Sequence, residues 1–448
     1  MTVPTQPELS PAYGLRHHDA LLPTDLLAAE VAQRRESGFD VDDIVETANA
    51  TDPADHTAVL QLVDAMGNSA RGTEWKYEEP EALEDIRAAA GAIAPQAVDD
   101  DRHAEQVSAA WLGRVAGCNI GKPIEDGDHW TVEHIRTYLE LADAYPLTDY
   151  VPLLDPMPAG FELRDNWPET TRGNVHGSAR DDDIDYAILA LHLLETHGRE
   201  LRPEQVGEAW LELFPLKQVY TAERAAYINL AKGIPVPRTA SFRNPYREWI
   251  GAQIRADVFG YVNPGDPWQA AALAYQDATL SHTANGVYGE MWAAALVAAA
   301  FTAADADEAI QASVSVLPQR SRLHEAVTHV IQLHRSGIAW DEALQVIRTT
   351  YGHYSWVHTI NNAAAVAAAL LWSGGDWMDA VGKVVMSGWD TDSNGATVGS
   401  VAGILGGPNG LPAHVIEPLQ DRTRSALFGF DNAVISDLAH RTIAVART

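Results

Sequence analysis

Alanine-rich runs with three-to-four-residue spacing dominate this chain, and alternating β-branched runs are scarce. MWAAALVAAAF (291–301) and AAAVAAALLW (363–372) are the strongest examples. Alanine costs least in a helix, and apolar residues three or four apart share one helical face. The chain is therefore expected to be all-α. Helices are expected over 104–118, 184–197, 204–213, 286–303, 305–315, 320–335, 340–350, 356–372, 376–386 and 394–405. His197-Gly198 and Ser336-Gly337 read as C-terminal stops, and Asp305 and Asp341 as caps of the helices that follow. The segment 150–180, rich in Pro and Gly, reads as a long loop, and loops of that length are commonly functional. The expected organisation is one large helical domain, 101–448, preceded by a helical extension, 1–100.

Charge and cysteine content narrow the function. The 448 residues hold 62 Asp plus Glu against 31 Lys plus Arg, a formal charge of −31. Such a surface repels nucleic acid and anionic membranes and favours cations, so neither is an expected partner. The longest apolar runs fall short of the ~20 residues that span a bilayer. No secretory signal is visible in MTVPTQPELSPAYG. The single cysteine, Cys118, excludes an intrachain disulfide and a thiolate metal cage. A cytoplasmic protein is expected. The histidines show no zinc spacing, and His17-His18 reads as a surface pair. No G-x-S-x-G elbow or P-loop is present, so serine hydrolase and NTPase chemistry find no support.

The acidic turn GWDTDSNG (388–395) resembles the opening of a calcium loop, with Asp390, Asp392, Asn394 and Gly395 at positions 1, 3, 5 and 6. Position 12, where an EF-hand needs a bidentate Glu, is Val401. The residues after Gly395 are small and apolar, which lets a neighbouring backbone approach closely. The motif is therefore half of a site at the start of a packed helix, where the dipole favours negative charge. A matching half is SARDDDIDYAILALHLLE (178–195), in which Asp181, Asp182 and Asp183 open an amphipathic helix. Taken alone, each turn is equally an acidic first helical turn facing water. If the two meet, carboxylates ~4 Å apart repel by ~4 kcal/mol at an effective dielectric of 20, so a cation or protons must neutralise them. With no His or Cys interleaved, the ligands are hard oxygens, which select Mg²⁺, Mn²⁺ or Ca²⁺. Their number suits a two-metal site.

These motifs, together with GRVAGCNIGKPIE (113–125), resemble the ADP-ribosylglycohydrolase family. The resemblance covers residues ~105–410 and extends to SHTANGVYGEMWAAALVAAAF (281–301) and HTINNAAAV (358–366). It implies a large orthogonal helical fold, a binuclear centre of two Mg²⁺ (or Mn²⁺) ions, and hydrolysis of a glycosidic bond to ribose. On the matching positions it implies Asp181, Asp182, Asp183, Asp390, Asp392 and Ser393 as metal ligands, and Glu125 as the early acidic residue. Three positions depart from the family pattern: Cys118 stands where Asp is common, and Asp181 and Ile184 stand where Thr is usual.

Cleavage of a ribosyl bond passes through an oxocarbenium-like state that carboxylates stabilise. Glu125 is the first candidate for general base and Asp183 the second. Phosphate donors are sought in the basic segment 217–255, which offers Arg243 and Arg247, and at the helix start of Asn285, Gly286 and Gly289. Asn119, His282, Tyr288 and Trp389 complete the substrate-side candidates. The expected substrate is ADP-ribosylated. A nucleoside-like or other ribosylated small molecule stays open, as does a non-catalytic binder of ADP-ribose or nucleotide.

Overall fold

The computed structural model describes residues 6–14 and 22–448, so the His17-His18 pair lies outside the described residues. Among these residues it holds 22 α-helices and one short antiparallel ladder, Arg422–Thr423 with Ala433–Val434. The all-α class follows, and every expected helix is present. Asp305 caps its helix by accepting from Glu308 N at 3.0 Å. Asp341 does not cap: the cap position is Ala339, and Asp341 lies inside the first turn, where its charge still meets the positive end of the helix. Gly198 and Gly337 take positive φ, as expected of C-terminal stops. No described helix is long and apolar enough to cross a membrane.

The centre of the fold is a pair of helices in backbone contact, Asp100–Gly121 and Thr391–Gly406. Each carries glycine at every fourth position, hence on one face: Gly113, Gly117 and Gly121 against Gly395, Gly399 and Gly403. A Cβ on Gly117 would lie 2.0 Å from Gly395 O, and one on Gly121 would lie 2.2 Å from Thr391 O. No larger side chain fits, so the small residues set the separation of the two helices. Helix Asp182–His197 also packs against this pair.

Residues between Tyr13 and Met66 form a smaller apolar cluster of their own, while Ala29 and Ile86 join the main core. Leu26, Leu27 and Val31 of helix Pro23–Glu36 pack there with Val45, Val59, Val63 and Met66. This cluster meets the main body across a polar seam, in which Gln33 Nε2 and Ser37 Oγ each donate to Glu248 Oε1 at 2.8 Å.

Candidate active site

Both acidic turns are tied to the end of helix Asp100–Gly121. Asn119 donates to Ser178 Oγ at 2.7 Å and accepts from Ala179 N at 3.2 Å, which fixes the approach to Asp181. Asp181 caps helix Asp182–His197, accepting from Asp183 N at 2.9 Å. Thr391 Oγ1 donates to Gly121 O at 2.9 Å, holding the second turn. That turn is sharp, with Gly388 at φ 69° and Trp389 at φ 63°. Trp389 is buried beneath the Arg348 guanidinium, 4.6 Å from its ring centroid, and this packing holds the left-handed backbone in place. Asn362 Oδ1 accepts from Asp390 N and Asn394 Nδ2, clamping the helix start.

The result is a cleft of about 530 Å³ with an acidic wall of Glu125, Asp182, Asp183, Asp390 and Asp392 beside Ser393. Asp181, Asp183 and Asp392 offer ligand atoms within 4.8 Å of one another together with Cys118 Sγ, and Glu125, Asp390 and Asp392 form a second such group. The expected oxygen-only set thus gains a thiol. Burial and the neighbouring aspartates push that thiol's pKa well up, so it stays neutral.

Among these carboxylates lies a lysine the sequence analysis passed over. Lys122 Nζ is 2.5 Å from Asp181 Oδ2, 2.7 Å from Asp392 Oδ2 and 2.7 Å from Glu125 Oε2. Burial opposes its charge, but Asp181, Asp392 and Glu125 raise its pKa well above the usual range. Burial likewise opposes ionisation of Asp181, yet Lys122 and the Asp183 side chain bring its carboxyl down to about 2. Asp182 is pushed up to about 7 by burial and Asp181, and Asp392 to about 7 by burial and Glu125. Asp183 and Asp390 are raised well above the usual carboxyl range, by burial and by their acidic neighbours. Asp183 is 2% exposed; its Oδ2 accepts from Ser393 Oγ at 3.1 Å, while its Oδ1 has no hydrogen-bond partner. That oxygen is buried, accepts no hydrogen bond and has the Arg114 guanidinium 3.8 Å away; set among hard donors, it fits a divalent cation.

The structure therefore brings Glu125, Asp181, Asp182, Asp183, Asp390, Asp392 and Ser393 together. The facing wall is different from the one expected. Arg164 and Asn166, from the 150–180 loop, line it with Arg180, Tyr220 and Trp356. Trp356 is seated there by Gly127, where a Cβ would lie 2.4 Å from its own. Arg180 is paired with Asp185 at 2.7 Å, and Arg164 is half exposed at the mouth, 3.7 Å from Glu125.

Most substrate-side candidates lie elsewhere. Arg243 forms a two-pronged pair with Asp64, and Arg247 one with Glu30, so both serve the seam. Asn285 donates to Glu79 and Glu248, which makes that helix start a poor place for phosphate. Tyr288 OH donates to Pro80 O, and His282 is buried with Nδ1 2.8 Å from Ser281 Oγ. Gly286 abuts Arg247 O and Gly289 abuts Thr359, both as close packing contacts. Asn119 and Trp389 lie behind the acidic turns and do not line the cleft. Lys122 was legible in GKPIE, three residues before Glu125; Arg164, Tyr220 and Trp356 carried no local signal.

Fold and cleft define an all-helical protein with a buried carboxylate centre open to one side. The chain belongs to the ADP-ribosylglycohydrolase family, whose sequence profile matches residues 99–447. A solved ADP-ribosylglycohydrolase-related protein complex is similar over 78% of this chain and 99% of that one, at 18% identity and a TM-score of 0.47. No curated protein matches the sequence. Family membership supports a glycosyl hydrolase.

Proposed function

We propose that the protein hydrolyses a glycosidic bond to ribose in an ADP-ribosylated substrate, assisted by a hard divalent cation, Mg²⁺ or Mn²⁺. The observation that carries this reading is the meeting of two acidic helix starts, Asp181–Asp183 and Asp390–Ser393, around Asp183 Oδ1, which accepts no hydrogen bond. Asp182, Asp183, Asp390, Asp392 and Ser393 are the residues that would hold the ion. When bound, such an ion lowers the pKa of a water and orients ribose hydroxyls.

The chain's own residues account for the remaining steps. Glu125 stands at the edge of the acidic wall and takes the proton of the attacking water, with Asp183 as the alternative base. The acidic wall stabilises positive charge developing at the ribose C1. Water's oxygen bonds to that carbon as the bond to the leaving nitrogen or oxygen breaks, and the proton taken by Glu125 is returned, through solvent, to the leaving group. Arg164 at the mouth supplies the cation for a diphosphate, and Trp356 and Tyr220 offer faces for a base.

The test is turnover of ADP-ribosyl-arginine, ADP-ribosyl-serine and a panel of nucleosides, with and without Mg²⁺ or Mn²⁺. The expected result is cation-dependent release of ADP-ribose, abolished in the Asp390→Ala/Asp392→Ala double variant. Release that survives the double variant sinks the mechanism. Nucleoside cleavage without ADP-ribosyl cleavage moves the substrate to free ribosides, and tight ADP-ribose binding without turnover makes the chain a binder.

A further inference from the structure

We propose that the Lys122 ammonium is a built-in cation of the carboxylate centre, so that the chain binds one divalent ion where its acidic residues alone would hold two. The inference rests on the reading of the cleft as a divalent-cation site. Two groups of ligand atoms are present, one of Cys118, Asp181, Asp183 and Asp392 and one of Glu125, Asp390 and Asp392. Asp392 is the carboxylate common to both, and is therefore the natural bridge between two ions. Both of its oxygens are engaged: Oδ2 accepts from Lys122 Nζ at 2.7 Å and Oδ1 accepts from Ser393 N at 3.0 Å.

The same ammonium reaches one further carboxylate in each group, Asp181 and Glu125. It donates to Glu125 and Asp392 and forms an ion pair with Asp181, so carboxylates from three separate segments surround it. The stalk is also fixed. Gly121 is pressed against Thr391, Pro123 and Ile124 are buried, and Pro123 O accepts from Arg164 N at 2.9 Å. A second ion at this junction would compete with a tethered charge already seated on its ligands. Asp183 Oδ1, by contrast, is untouched by Lys122 and accepts no hydrogen bond, with the Arg114 guanidinium 3.8 Å away, which leaves it a place for one ion.

The experiment counts ions and needs no turnover. Full-length protein stripped with EDTA is equilibrated with Mn²⁺, and bound metal is measured by elemental analysis and electron paramagnetic resonance. One isolated Mn²⁺ per wild-type chain is expected, and two spin-coupled Mn²⁺ per Lys122→Met chain, a twofold rise. Lys122→Arg, which keeps the charge, is expected to stay at one. Two ions in the wild type overturn the inference and leave the proposed cation-dependent function standing. One ion in both wild type and Lys122→Met overturns it as well. No ion in any chain overturns it together with the metal reading. Should Lys122→Met not fold, the wild-type count decides alone.

Discussion

Two of the buried acidic clusters in this molecule end in opposite states. At the seam, Glu248 accepts from Gln33 and Ser37 on one oxygen and from Asn285 and Arg322 on the other, at 2.6–2.9 Å. Glu79 beside it accepts from Arg322 and Asn285. Burial opposes ionisation of Glu248, but Arg322 and the surrounding donors hold its carboxyl well below the usual range. In the cleft, Asp183 is as deeply buried, has one oxygen that accepts no hydrogen bond, and has its pKa raised by burial and by Asp181 and Asp392 against the pull of Arg114, 3.8 Å away. Burial of a carboxylate alone therefore says little. Saturation by donors marks the structural cluster, and unmet acceptors beside a cavity mark the one that awaits a ligand.

The largest expected effect comes from breaking the saturated side. Arg322→Met leaves Glu79 and Glu248 buried without their shared counter-charge, a loss of about 3–5 kcal/mol in urea unfolding. A loss below about 1 kcal/mol would show the seam to be no tighter than surface pairing. Next comes the unsaturated side, where Mn²⁺ at a hundred times its Kd is expected to stabilise the protein by about 2.7 kcal/mol, reversed by EDTA. The metal-dependent gain should persist in Arg322→Met if that variant folds, since the two clusters share no residue. Gly117→Ala tests the helix pair that carries Lys122 and Asp392. Its Cβ would lie 2.0 Å from Gly395 O, so the helices must part, at about 1–3 kcal/mol. Thermal unfolding should show a lower Tm and a weakened response to Mn²⁺.

The same contrast explains what could be read from the sequence. Helices were legible because periodicity and end signals are local, and the acidic turns because each is a contiguous motif. Small residues after Gly395 announced a close neighbour. The partner was written in the same four-residue spacing, Gly113, Gly117 and Gly121, but a pairing across some 280 residues leaves no local trace. Arg243 and Arg247 misled for the same reason. Their acidic partners, Asp64 and Glu30, lie 179 and 217 residues away, so local composition made them look available to phosphate. Lys122 was overlooked although it stands inside a quoted motif. A lysine beside a carboxylate set reads as surface charge until three acidic segments are folded around it.

A smaller effect probes the rim of the seam through pH. Glu36 faces Glu248, Arg322 and His358, whose Nε2 is 3.9 Å from Glu36 Oε2. Burial and Glu248 push its carboxyl up to about 8 from 4.5, against the pull of Arg322. His358 is driven down to about 3 by burial and so stays neutral through this window. Because the folded state holds the Glu36 proton more tightly, its contribution is complete below pH ~4.5 and is lost as pH rises through ~8. Unfolding free energy should therefore fall by about 1–2 kcal/mol across that range, a discount for the group's residual exposure included. Glu36→Gln should flatten the slope. An unchanged slope would place the titration elsewhere.

The smallest change in stability is the most telling. Asp183→Asn keeps the shape of the side chain and removes a charge from the site where like charges crowd. Removing one partner from a saturated buried pair destabilises, whereas replacing a carboxyl that burial, Asp181 and Asp392 already favour in its protonated form costs little. The metal-free variant is thus expected to match the wild type or exceed it by about 1 kcal/mol. Its gain on adding Mn²⁺ should vanish, because the amide is a weaker ligand and carries no charge to offset the ion. A loss of several kcal/mol without metal would mean that Asp183 is held as Glu248 is. The distinction between the two clusters would then fail at its central residue.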